Sequence, residues 1–180
     1  GNLNNINVSE LVSSACTDCG VVLKTDLSTL VNHNYNVVSV PQSDNLTYRQ
    51  LLSWCCQIMG VCALIDADGK LVLKWYTNSG VELSTGDRYE SVIDENQIAL
   101  TKLMITVADK TYTSGTGNYA VDLTGNMLVQ INPQEMLDNI YQTVGGLSYY
   151  PFTASTVPLP QLEPLDKIII IGKDGKSYPT

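Results

Sequence analysis

Two Asp-Gly dipeptides, Asp68-Gly69 and Asp174-Gly175, each stand between short apolar runs, and they constrain the fold more than any other feature. Asp-Gly is a strong hairpin signal because both residues tolerate positive φ. Residues 61–65 and 70–76 therefore read as the arms of one β-hairpin. Residues 167–171 and Ser177-Tyr178 read as the arms of a second. In the first hairpin Leu71, Leu73 and Trp75 share one face, as strand alternation requires.

Helix signals surround these hairpins. Asn7-Val8-Ser9-Glu10 predicts a capping box, with Asn7 accepting from the first turn and Glu10 reciprocating. Val8, Leu11, Val12, Ala15, Cys16 and Cys19 then repeat at spacings of three and four, and Gly20 supplies a left-handed stop. Thr47-Tyr48-Arg49-Gln50 repeats the device, with Gly60 as the stop. That second helix is apolar nearly all round, which predicts cover on more than one side. Asn132-Pro133-Gln134-Glu135 predicts a third helix near 133–144, with Asn132 as cap and Pro133 at its first position. Between helices, 21–23, 35–40, 100–107, 110–113 and 119–123 read as strands. Residues 147–157 read as one more, with Pro151 at an edge or in a bulge. Residues 77–86 are polar and turn-rich, which predicts a boundary there. The expected organisation is α+β in two modules. Residues 1–76 hold two helices and a small sheet, and residues 77–180 are mostly β with one helix. No period of 20–50 residues is visible.

Composition removes several functional classes. The 180 residues carry ten Lys and Arg against eighteen Asp and Glu, a net charge of −8, with no basic run. That leaves no electrostatic footprint for nucleic acid or an anionic membrane. No apolar run approaches the ~20 residues that span a bilayer. Five cysteines are odd in number and too sparse for a disulfide scaffold, which points to a reducing interior. The chain begins with Gly1 rather than Met and stops at Tyr178-Pro179-Thr180. Both ends lead to the expectation of a piece excised from a larger protein, with Gly1 a remnant of tag removal.

Each candidate for chemistry has a simpler reading. Cys16-Thr17-Asp18-Cys19 is a C-x-x-C, but it sits at the end of its helix, where the dipole raises a thiol pKa. Cys16 and Cys19 are also the zinc candidates, with Cys55, Cys56, Cys62 or His33 completing a set. Cys55 and Cys56 point about 100° apart on a helix, which argues against joint ligation, and the cysteines read instead as small core hydrophobes. Asp66-Ala67-Asp68-Gly69 lacks the remaining acids of a calcium loop. The acids of 82–95 read as a solvated loop, and the lone His33 has no nucleophile elbow to serve. No P-loop or dinucleotide fingerprint occurs. The residues give no reason to expect an enzyme, a cofactor or a metal.

Three stretches together resemble a known family. One is Asn45-Leu46-Thr47-Tyr48-Arg49-Gln50-Leu51-Leu52-Ser53-Trp54, continuing through Gln57-Ile58-Met59-Gly60 to Asp68-Gly69-Lys70-Leu71-Val72-Leu73-Lys74-Trp75-Tyr76. The second is Gly146-Leu147-Ser148-Tyr149-Tyr150-Pro151-Phe152-Thr153-Ala154-Ser155. The third is Leu162-Glu163-Pro164-Leu165-Asp166-Lys167-Ile168 with Asp174-Gly175-Lys176. They resemble tail or baseplate-hub proteins encoded by prophages of Gram-positive, Firmicutes-type bacteria. That family often has Gly where this chain has Leu165. The resemblance implies a β-barrel-like second module, a non-catalytic structural role in the virion tail and synthesis in the host cytoplasm. It implies other tail proteins as partners and a homotrimer of the full-length protein. Trp75, Tyr149, Tyr150 and Phe152 are the expected contact residues between modules or subunits, the alternative being that one or two fill the local core. The rival functions are a carbohydrate- or receptor-binding module of a tail, marked by an aromatic-lined groove, and a cell-wall hydrolase domain, marked by a deep pocket with paired carboxylates.

Overall fold

The computed structural model describes residues 4–42 and 45–180; Gly1, read above as a tag remnant, lies outside them. In chain order the first elements are β1 (Asn4–Asn7), α1 (Val8–Asp18), β2 (Asn36–Ser39), α2 (Tyr48–Met59), β3 (Cys62–Ile65), β4 (Leu71–Lys74), β5 (Thr77–Leu83) and β6 (Arg88–Ile93). Then follow β7 (Ile98–Ala99), β8 (Lys102–Val107), β9 (Lys110–Gly115), β10 (Ala120–Asp122), α3 (Pro133–Val144), β11 (Ser148–Tyr149), β12 (Phe152–Thr156), β13 (Asp166–Ile171) and β14 (Ser177–Pro179). The fold is α+β and mostly β. Among the described residues the strands form small sheets of two or three, and none closes into a barrel.

The chain divides into two compact units, 1–75 with 101–145 and 76–100 with 146–180. A division between 76 and 77 therefore accounts for only one of the crossings. Residues 101–145 pack with the N-terminal part because α3 lies on α2 as well as on β8 and β9. Buried Asn126 adds to this, donating to the Trp54 carbonyl at 2.9 Å and to Gln57 Oε1 at 3.0 Å.

In the first unit α1 opens with the expected capping box. Asn7 Oδ1 accepts from the Glu10 N–H at 2.8 Å, and Glu10 Oε2 accepts from the Asn7 N–H at 3.1 Å. The helix closes on Gly20, at φ +64°, with Val21 N–H bonded to the Cys16 carbonyl and Gly20 N–H to that of Thr17. Helix α2 reuses these parts forty residues on: Thr47 accepts from the Gln50 N–H, Gly60 has φ +63°, and Val61 N–H meets the Cys56 carbonyl. As expected, α2 is covered broadly, with Leu51, Trp54, Cys55, Cys56, Ile58 and Met59 all buried. A Cβ on Gly60 would come within 3.0 Å of Ile140 and 3.3 Å of Val144 on α3, so this glycine serves both the turn and the packing. Asn132 departs from expectation. It precedes α3 at φ +44° and makes no side-chain cap bond.

The hairpins form as expected, with different turns. Gly69 and Gly175 have positive φ, whereas Asp68 and Asp174 do not. With Gly69 N–H on the Asp66 carbonyl and Gly175 N–H on that of Gly172, each is a type I turn followed by a left-handed glycine. The turn with both central residues left-handed is Ala108-Asp109, at φ +48° and +62°, joining β8 to β9 without a glycine. Residues 22–24 pair with β4 through a parallel bridge between Leu23 and Leu71.

In the second unit the expected polar boundary after Tyr76 is strand β5, parallel to β13. Its polar side chains tie it to that neighbour: Thr77 Oγ1 donates to Asp166 Oδ1 at 3.1 Å and Ser79 Oγ to the Lys167 carbonyl at 2.7 Å. Residues 147–157 form two strands rather than one, β11 paired with β7 and β12 with β6, split at Tyr150-Pro151. Leu165 holds φ +73° in the turn closed by Asp166 N–H on the Glu163 carbonyl, the conformation a glycine would supply. Leu83, Ile168 and Ile170 form the buried core, flanked by Val81, Ile93, Phe152, Leu159, Leu162 and Tyr178.

Candidate functional site

Four of the five cysteines are buried or half-buried among their neighbours. Burial pushes the Cys55 and Cys56 thiols up to about 12, and raises those of Cys16 and Cys62. Cys16 is buried on α1 and Cys19 is exposed at its end. Among the described residues no group of three or more His, Cys, Asp or Glu side chains converges as a metal site.

The acids are turn staples. Asp66 Oδ2 accepts from Lys24 Nζ at 2.8 Å, while Asp66 Oδ1 accepts from the Lys70 and Asp68 N–H groups at 2.9 Å; the lysine first, and then these bonds, lower its pKa. Asp87 is lowered by the Ser84 hydroxyl and N–H, and Asp94 by the Asn96 N–H and side-chain amide. His33 is half-buried, with Nδ1 2.9 Å from the Leu30 carbonyl, while its own carbonyl accepts from the Ser9 N–H and hydroxyl.

The aromatic residues give the clearest surface feature. Trp75 is half-buried in the first unit. Tyr149, Tyr150 and Phe152, also half-buried, converge in the second on a cleft of about 330 Å³, shared with Tyr76, Leu147, Pro151, Lys167 and Thr180. Strand alternation would send neighbouring side chains to opposite faces. Pro151 has no N–H to continue a ladder and splits the strand, so consecutive residues meet in one place. Tyr150 is held by its N–H on the Pro179 carbonyl at 2.9 Å and by an edge-on contact with the Tyr178 ring, 5.2 Å between centroids at 90°. Sequence reasoning missed Tyr76 and Lys167, because β5 and β13 bring them in from distant segments and no local pattern records that pairing. It also missed Tyr35, whose hydroxyl donates to the Ile131 carbonyl and accepts from the Gln130 and Ile131 N–H groups; burial raises its pKa.

Among the described residues no helix is long and apolar enough to cross a membrane. No family model matches the chain, and no curated protein matches it. Solved structures do. Over 99% of its length the chain matches the prophage MuSo2 43 kDa tail protein from Shewanella oneidensis, at 16% identity and a TM-score of 0.54, covering 58% of that chain. It matches the tail protein from Neisseria meningitidis MC58 over 99% of its length, at 12% identity and a TM-score of 0.58, covering 61% of that chain. The chain thus spans about three fifths of the length of these two proteins, and at such identities the likeness is one of fold. Both structural neighbours are tail proteins, one of them from a prophage, and the chain shares their fold over 99% of its length.

Proposed function

We propose that this chain is a non-catalytic structural part of a phage or prophage tail, at the baseplate hub or tail tip. The observation that carries the reading is the fold likeness to two tail proteins over 99% of the chain. The three sequence stretches that resemble Gram-positive prophage hub proteins carry the finer assignment to a hub and to such hosts. The second unit suits assembly: it pairs its strands in twos and threes and leaves Tyr89 and Val92 of β6 78% and 74% exposed. Such a unit gains stability by packing against partners, here other tail proteins and two further copies in a homotrimer. Trp75, Tyr149, Tyr150 and Phe152 are the contact residues in this reading. The test is immunogold labelling of phage particles from the source strain. Label confined to the tail end supports the reading, and unlabelled particles with the protein left in the soluble fraction contradict it.

A further inference from the structure

We propose that the aromatic cleft of the second unit binds a saccharide, and that it selects a pyranose carrying an anionic group. The cleft, about 330 Å³, falls at the lower end of the ~300–1,000 Å³ typical of small-molecule sites. Its wall is Tyr76, Tyr149, Tyr150 and Phe152. The face of an aromatic ring carries negative potential, and the C–H bonds on one face of a pyranose are polarised positive, so the two stack. The Tyr149 and Tyr150 hydroxyls bond no other protein group among the described residues, which leaves both to the hydroxyls of a sugar. The charge selects further. In a chain of net charge −8, Lys167 is the one charged side chain lining the cleft, and among the described residues it has no ion pair. A purely apolar occupant would desolvate that ammonium without compensation, whereas a carboxylate or phosphate on the sugar pairs with it. The walls are also fixed in advance by Pro151, by the Tyr150–Pro179 backbone bond and by the Tyr178 ring, so little freedom is lost on binding.

The proposal gives Tyr149, Tyr150 and Phe152 a ligand where the proposed function gives them protein contacts, so it requires the cleft to stay open. It is tested on the purified 180-residue chain with its C-terminus amidated, because Thr180 lines the same cleft and a carboxylate there would oppose an anion. Glucuronate, glucose 6-phosphate and glucose are titrated separately while the tyrosine ring signals are followed by NMR. At least one anionic sugar shifts the Tyr149 and Tyr150 signals to saturation, roughly tenfold more tightly than glucose. Which of the two binds better identifies the anion. Lys167→Gln removes most of the preference for the anionic sugar over glucose. Tyr149→Phe, which deletes only a hydroxyl, weakens all binding several-fold without altering the circular dichroism. The proposal is overturned if no sugar moves these signals, if glucose binds as tightly as both anions, or if the preference survives Lys167→Gln.

Discussion

The two units reach stability by different routes. The first, of about 120 residues, holds twenty-five of the buried apolar side chains among the described residues; the second, of about 60, holds three. Twice the length therefore carries about eight times the core. Small domains bury a smaller share of their surface and are marginal, and two-stranded ribbons seldom stand alone. The second unit relies instead on side-chain ties to backbone. Its Arg88 guanidinium donates to the Leu83 and Ile171 carbonyls, joining β6 to β5 and β13. The difference teaches that one unit carries a core of its own, while the other has a small one and leans on hydrogen-bonded ties between its strands.

Core truncation should separate them most sharply. Leu137→Ala, at a fully buried site on α3, should cost the first unit about 2–5 kcal/mol in urea unfolding. Ile170→Ala, equally buried, should abolish protection of the second unit in hydrogen exchange and leave the first intact. A single cooperative transition shifted alike by both would break the comparison. Next comes Gly60→Ala, which adds a left-handed alanine and a clash with Ile140. It should lower the stability of the first unit by about 2 kcal/mol, measured by the same unfolding. Arg88→Met should cost the second unit about 1–2 kcal/mol by leaving two carbonyls without their donor, read from exchange rates in β5 and β13.

Alkali should act on the first unit, whereas acid should act on both. The folded pKa values of Cys55 and Cys56 are raised from 9.0 to about 12, so the neutral thiols favour the fold below the unfolded value. That contribution to the first unit is lost as pH climbs from about 9 toward 12. In the second unit Asp87, Asp94 and Asp174 have depressed pKa values. Their contribution is present above the unfolded value near 3.8 and is lost as pH falls through the folded ones. Circular dichroism against pH should show alkali eroding the first unit and acid eroding both, because Asp26, Asp66 and Asp122 of the first unit are depressed as well. The smallest effect is Leu165→Gly, which should stabilise the second unit by about 0.5–1 kcal/mol by relieving a left-handed leucine, measured as a rise in its unfolding midpoint.

Local chemistry was readable wherever the partners lie within a few residues. Asn7 with Glu10, Gly20, Thr47 and Gly60 did what their spacing predicts, and both Asp-Gly hairpins formed. Reading failed where a distant strand decides. Residues 77–83 look like a linker until Asp166 and Lys167 receive their polar side chains. Residues 101–145 look C-terminal until α3 finds α2. It failed also where context overrides propensity, as at Ala108-Asp109, which forms the left-handed turn without glycine, and at Asn132, which starts α3 without capping it. Tyr149, Tyr150 and Phe152 were visible as contact candidates. Their convergence with Tyr76 and Lys167 depends on Pro151 and on a parallel pairing that no local motif announces.

Native-state hydrogen exchange on the purified chain tests the central contrast most directly. The account predicts that amides of 76–100 and 146–180 exchange through openings of much lower free energy than those of 1–75 and 101–145. Equal protection of the two sets would contradict it.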